Sequence, residues 1–123
     1  MAIQTALTHI LGDDATFQFT VYRSKAKSAI RDISSYTMTF MVKRNKSDAD
    51  GSALFSGSAT VSGTYHADPA TNTQVAQVTI ADTDLPTSTT AGQVHWALKR
   101  TDAGAEQVLA YGRMLLIRLV HDA

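Results

Sequence analysis

The chain has no cysteine, two prolines, a single glutamate and no surplus of either charge. Without thiols it can form no disulfide, no thiolate metal site and no cysteine nucleophile, which fits a reducing compartment. Lys+Arg and Asp+Glu number 11 each. There is accordingly no basic block to release counterions from a nucleic-acid backbone, and nucleic acid is not an expected partner. The densest basic cluster, Arg23, Lys25, Lys27 and Arg31, is interleaved with serine and alanine and reads as a solvated loop. No run approaches the ~20 apolar residues that span a bilayer. The opening MAIQTALTHILGDD lacks the positive start and continuous apolar core of a secretory signal. No membrane partner is expected. Neutral charge offers little colloidal repulsion, which suits life inside an assembly.

Long helical periodicity is also missing, and alternation at period two takes its place. In ATFQFTVY, Phe17, Phe19 and Val21 point one way and Thr16, Gln18, Thr20 and Tyr22 the other. In YTMTFMVKR, Met38, Phe40 and Val42 alternate with Thr37, Thr39, Met41 and Lys43. ALFSG reads as a short strand, and ATVSGTYH as another anchored by Val61 and Tyr65. QVAQVTI returns with Ala76, Val78 and Ile80 on one face, and GQVHWALKR turns Val94, Trp96 and Leu98 inward. Ile30, Ile33 and Leu85 fill the ends of the core. NKSDADGS, ADPATNT, ADTDLPTSTTAG and TDAGAE are connections by their turn formers, and Gly104 can take a left-handed conformation. The pattern indicates an all-β fold, an Ig-like antiparallel β-sandwich of about seven to eight strands. Residues 12–123 form the single sandwich domain, and residues 1–11 an N-terminal arm, short helix or strand.

Catalytic constellations are not visible. His9, His66, His95 and His121 lie far apart and share no metal-binding spacing. His66 and His95 read as exposed strand positions, and His9 and His121 as lying near the chain ends. Asp48, Asp50 and Gly51 suggest a calcium loop, but setting Gly51 at the sixth position puts Lys46 first and Gly57 twelfth, where oxygen donors are needed. Asp13 with Asp14, and Asp82 with Asp84, sit in turn contexts. Glu106 lies in a hairpin turn. Asn45-Lys46-Ser47 matches the glycosylation tripeptide, with nothing else pointing to secretion. No G-x-S-x-G elbow or phosphate-cradling loop occurs. No catalytic residue, cofactor or metal is expected, and the chain is not expected to be an enzyme.

The order of the pieces carries more than any one of them. GDDATFQFTVYR leads to RDISSYTMTFMVKR, then to KSDAD, then to VAQVTIADTDLPTSTTAGQVHWALKRTDAGAEQVLAYGRMLL. This resembles the β-sandwich domain at the N-terminus of phage baseplate upper proteins, also found as small stand-alone proteins in tailed-phage structural gene clusters. The elements that match are Gly12 to Val21, Asp32 to Lys43, Val78 to Pro86, Gly92 to Leu98 and Asp102 to Gly104. Ser35 departs from the glycine often found in the turn before the second strand, and the closing strand is unusually apolar. The resemblance implies a non-enzymatic virion protein, made in the host cytoplasm, that attaches to other phage proteins.

The closing MLLIRLV is apolar at nearly every position, whereas a strand with one wet face needs only alternate ones. Two covers are open for its second face: the chain's own Ile3, Leu7, Ile10 and Leu11, or a neighbouring subunit. Leu115, Ile117 and Leu119, with Ile3, Leu7, Ile10 and Leu11, are the candidate assembly surface. A homo-oligomer within the particle, bound to tail, baseplate or connector proteins, is the leading expectation. A capsid decoration protein on the major capsid protein is the alternative. A carbohydrate- or receptor-binding module is a further one, weakened by the scatter of Tyr22, Tyr36, Tyr65 and Tyr111.

Overall fold

The computed structural model describes residues 3–4, 6–23 and 29–118. Lys25, Lys27, Leu119 and His121 lie outside the described residues, as does the side chain of Ile3. Eight strands are described: β1 (Ile3–Gln4), β2 (Leu7–Ile10), β3 (Ala15–Phe19), β4 (Met38–Lys43), β5 (Phe55–Ser62), β6 (Val75–Ile80), β7 (Gly92–Arg100) and β8 (Gln107–Ile117). The fold is all-β, as the alternation indicates.

Hydrogen bonding follows one path, β1-β8-β7-β4-β5-β6-β3, with β2 also on β8. Its two layers are joined by β5, whose first half pairs with β4 and whose second half pairs with β6. A second crossing lies between β2 and β3. Leu11 N–H donates to the Ile117 carbonyl at 2.9 Å and closes the β2 pairing, and Gly12 N–H then donates to the Leu85 carbonyl at 2.8 Å. Gly12 adopts φ 83, and a Cβ there would stand 2.7 Å from Thr87 Cγ2. Only glycine makes this corner without strain. The two crossings leave a nearly closed, barrel-like sandwich.

Three expectations need correction, and one open choice is decided. The sandwich is not wholly antiparallel, because β1 and β2 run parallel to β8. A hairpin forces antiparallel pairing, but β2 passes straight through the Gly12 corner into β3, so no hairpin sets its direction. Of the helix and strand readings of the N-terminal segment, the strand one holds, over Ile3–Gln4 and Leu7–Ile10. ALFSG and ATVSG are one strand and not two, because Gly57 faces the Phe55 ring and its missing side chain makes room for that ring: a Cβ would lie 2.8 Å from Phe55 Cζ. Strand structure stops at Ser62, so Tyr65 and His66 lie in the following loop, where the Tyr65 hydroxyl donates to the Ile30 carbonyl at 3.2 Å.

The inward positions are those the alternation picks out. Met38, Phe40, Val42, Ala76, Val78, Ile80, Val94, Trp96 and Leu98 are buried, as are Ile30, Ile33 and Leu85. Aromatic rings join the layers: Phe19 of β3 stacks on Trp96 of β7 with centroids 4.8 Å apart, and Phe40 of β4 lies 5.8 Å from Phe19 and 5.7 Å from Trp96. Such pairs add ~0.5–1.5 kcal/mol each beyond the area they bury. Gly112 stands opposite Trp96 in the β7–β8 pairing.

Candidate functional site

Most carboxylates are committed to backbone donors. Asp14 accepts from Asp82 N–H at 2.6 Å, Asp48 from Asn45 N–H at 3.0 Å, Asp68 from Ala70 N–H at 3.0 Å and Asp84 from Ala81 N–H at 2.8 Å. Glu106 accepts from Gly104 N–H at 3.1 Å. Asp32 accepts from the Ser34 N–H and hydroxyl and from the Gln74 amide, bonds that hold its carboxyl below the ordinary range. Gln74, itself buried, also accepts from Ile33 N–H at 3.1 Å and so clamps this turn to the start of β6. Asp102 accepts from Arg100 Nε at 2.8 Å and Thr37 N–H at 3.0 Å, and these bonds lower its pKa to about 2. The Arg100 guanidinium lies 3.8 Å from the Tyr36 ring centroid, a cation–π contact. The turn reading therefore holds for Asp48 and Asp84, whereas Asp14 ties its corner to the remote Asp82. Among the described residues no cluster of histidine, aspartate and glutamate could hold a metal ion.

His9 is the misplaced residue. Expected near a loose end, it is 2% exposed, facing inward from β2 with its ring centroid 6.3 Å from that of Phe17. Neither ring nitrogen has a protein hydrogen-bond partner among the described residues. Desolvation pushes its pKa down, partly opposed by the negative charge of Asp13. His95 is half-buried rather than exposed, on the outer face of β7, and its shielded Nδ1 likewise has no such partner. His66 is exposed, and its Nδ1 accepts from Asp68 N–H at 3.0 Å.

The expected assembly surface divides in two. Leu11 is buried in this chain's own core and Leu7 packs against it, so neither is available to a neighbour. Their register explains this: Leu7 pairs with the inward Met114, and the inward His9 with Leu116. Ile10 pairs with Ile117, and Thr8 with Leu115, on the opposite face. Leu115 is 47% exposed, and Ile10 and Ile117 are half-buried beside it. The N-terminal arm thus covers the edge of β8 and leaves its outer face open. Ile3 pairs with Ala110.

A second feature of the same outer face was not anticipated. A groove of about 450 Å³ lies over β4, β7 and the start of β8. Met41, Ala97, Val108 and Tyr111 give it an apolar lining, and Val108 is 40% exposed. Lys43, Lys46, Lys99 and His95 complete its wall. Asp50, on a single 3-10 turn (Asp50–Ser52) in the β4–β5 connection, reaches Lys43 at 2.5 Å and Lys99 at 3.2 Å. The hydrogen bonds from Lys43 and then Lys99 hold its carboxyl below the ordinary range. The available signal was Met41, an apolar side chain already assigned to the outward face of its strand.

No helix among the described residues is long and apolar enough to cross a membrane. Comparison of the chain with protein-family models and with curated proteins gave no match.

Proposed function

We propose that this chain is a non-enzymatic structural protein of a tailed-phage virion that attaches other virion proteins through the outer face of its β8 layer. The observation that carries the reading is Leu115, 47% exposed on an open sheet face with Ile10 and Ile117 beside it. Large apolar residues gathered on one face mark interaction surfaces. The ordered resemblance to the baseplate domain supplies the setting. The commitment of most carboxylates to backbone donors supports a role without acid–base chemistry. Repetition by particle symmetry makes modest contacts sufficient, because neighbouring copies bind together.

The test is to locate the chain in purified particles by cryo-EM and to compare Leu115→Asp. Density in the tail or baseplate is the expected result, and density on the capsid lattice transfers the role to head decoration. Absence from particles overturns the reading. Leu115→Asp keeps the fold, since the side chain is largely outside the core, and depletes the chain from particles. Normal incorporation of that variant means that another surface makes the attachment.

A further inference from the structure

The groove over β4, β7 and β8 combines an apolar floor with an excess of positive charge. Lys43 and Lys99 share one carboxylate, that of Asp50, which is itself 57% exposed. Lys46 is exposed and makes no ion pair among the described residues. Three lysines against one aspartate leave two positive charges unmatched at the rim. Arg113, exposed and paired with His95 across the β7–β8 ladder, adds another beside it. The chain already shows which anion this arrangement accepts, because a carboxylate bridges the two lysines whose strand positions flank the Met41–Ala97 pair.

We propose that the groove is a docking site for an acidic peptide segment of a protein partner. The segment lays an apolar or aromatic side chain on Met41, Ala97 and Val108 and presents carboxylates to Lys46 and to the lysines around Asp50. Its 450 Å³ falls within the ~300–1,000 Å³ of clefts that take side chains and small ligands. Charge complementarity selects the sign of the segment and the apolar floor selects its anchor. A nucleic-acid strand fits less well: it needs a basic track with exposed stacking rings, and here the lysines ring one groove whose outer-face rings, Tyr111 and His95, are both half-buried. The inference rests on the attachment reading only in taking a protein as the occupant. The groove lies apart from Leu115, with Arg113 between them on β8.

The experiment is an NMR titration of the isotope-labelled chain with three probes: a synthetic pentapeptide alternating acidic and apolar residues, its counterpart with amides replacing the carboxylates, and an eight-nucleotide oligothymidylate. The acidic peptide is expected to give saturable shifts at Met41, Ala97, Val108 and Tyr111, and the amide peptide to bind at least about tenfold more weakly. Lys46→Glu alone should weaken the acidic peptide several-fold. Lys46→Glu with Lys99→Glu should weaken it at least about tenfold, with the urea midpoint checked for folding, and the single variant serves if the double one unfolds. No saturable shift at millimolar peptide, equal binding of the amide peptide, shifts outside the groove or insensitivity to Lys46→Glu each overturns the proposal. So does tighter binding of the oligonucleotide, or self-association through this face, which would assign the groove to a second copy. A chain present in particles that fails the titration refutes the groove alone; a chain that passes it and is absent from particles refutes the virion reading alone.

Discussion

His9→Leu should make the protein more stable and remove part of its sensitivity to acid. The imidazole is 2% exposed, and neither nitrogen has a protein partner among the described residues. A buried polar group left unpaired costs ~1–3 kcal/mol, whereas an apolar side chain of similar size in its place restores that amount. Repacking against Phe17 takes back up to ~1.5 kcal/mol. The net expectation is a gain of about 1–2 kcal/mol at pH 7.5, or several degrees in Tm for a domain of this size. The pH dependence follows from the lowered pKa. Below about pH 6.5 the unfolded chain takes up a proton on this residue and the native chain does not. Stability from neutral His9 is therefore fully present above that pH and declines as pH falls toward the folded pKa, by at most ~1.4 kcal/mol per pH unit. Urea unfolding of wild type and His9→Leu at pH 7.5, 6.5 and 5.5 gives both quantities. A variant destabilised by more than ~1 kcal/mol at pH 7.5, or one that keeps the wild-type slope between pH 6.5 and 5.5, would refute the argument that the ring is an unsatisfied passenger in an apolar site.

Phe40→Ala removes the ring that meets Phe19, Trp96, Phe17 and Phe55, and should cost about 3–5 kcal/mol in chemical denaturation. Gly12→Ala forces a side chain into φ 83 and against Thr87, so it should cost at least ~1–2 kcal/mol, and a neutral result would mean that the corner is not tightly held. Asp102, with a folded pKa of about 2 against an ordinary 3.8, contributes stability that is present above about pH 4 and lost as pH falls through about 2. Asp102→Asn should lower stability at neutral pH and flatten its fall through that window, as followed by urea unfolding monitored by circular dichroism.

The strand faces were legible because burial on one side of a pleat leaves a period-two record, and Phe40, Val78 and Trp96 each sit where that record puts them. Leu85 and Ile33 were legible as isolated apolar residues among turn formers. The layer change inside β5 was not, since Gly57 makes space for the Phe55 ring and reads in sequence like a break. Nor was the fate of His9 and Leu11, because a short strand's partner is chosen by the rest of the fold and a one-residue shift would reverse which side chains face inward. The groove was half legible. Met41 was assigned outward correctly, but the convergence of Lys43, Lys46 and Lys99 around it depends on cross-strand register and on the path of the β4–β5 connection.

The parallel seam between β2 and β8 bears on how the molecule is made. Leu7 pairs with Met114, a separation of 107 residues, and His9 with Leu116. During synthesis the residues of β2 must wait for those of β8 before they find their partner. At ~5–20 residues per second that interval is on the order of 5–20 seconds. Until then Leu7 and Leu11 have no core to enter, and closing so long a loop is a slow, non-local event. The sandwich therefore closes only after β8 emerges. Shortening β8 would leave a translated but unsealed sandwich with Leu7 and Leu11 uncovered.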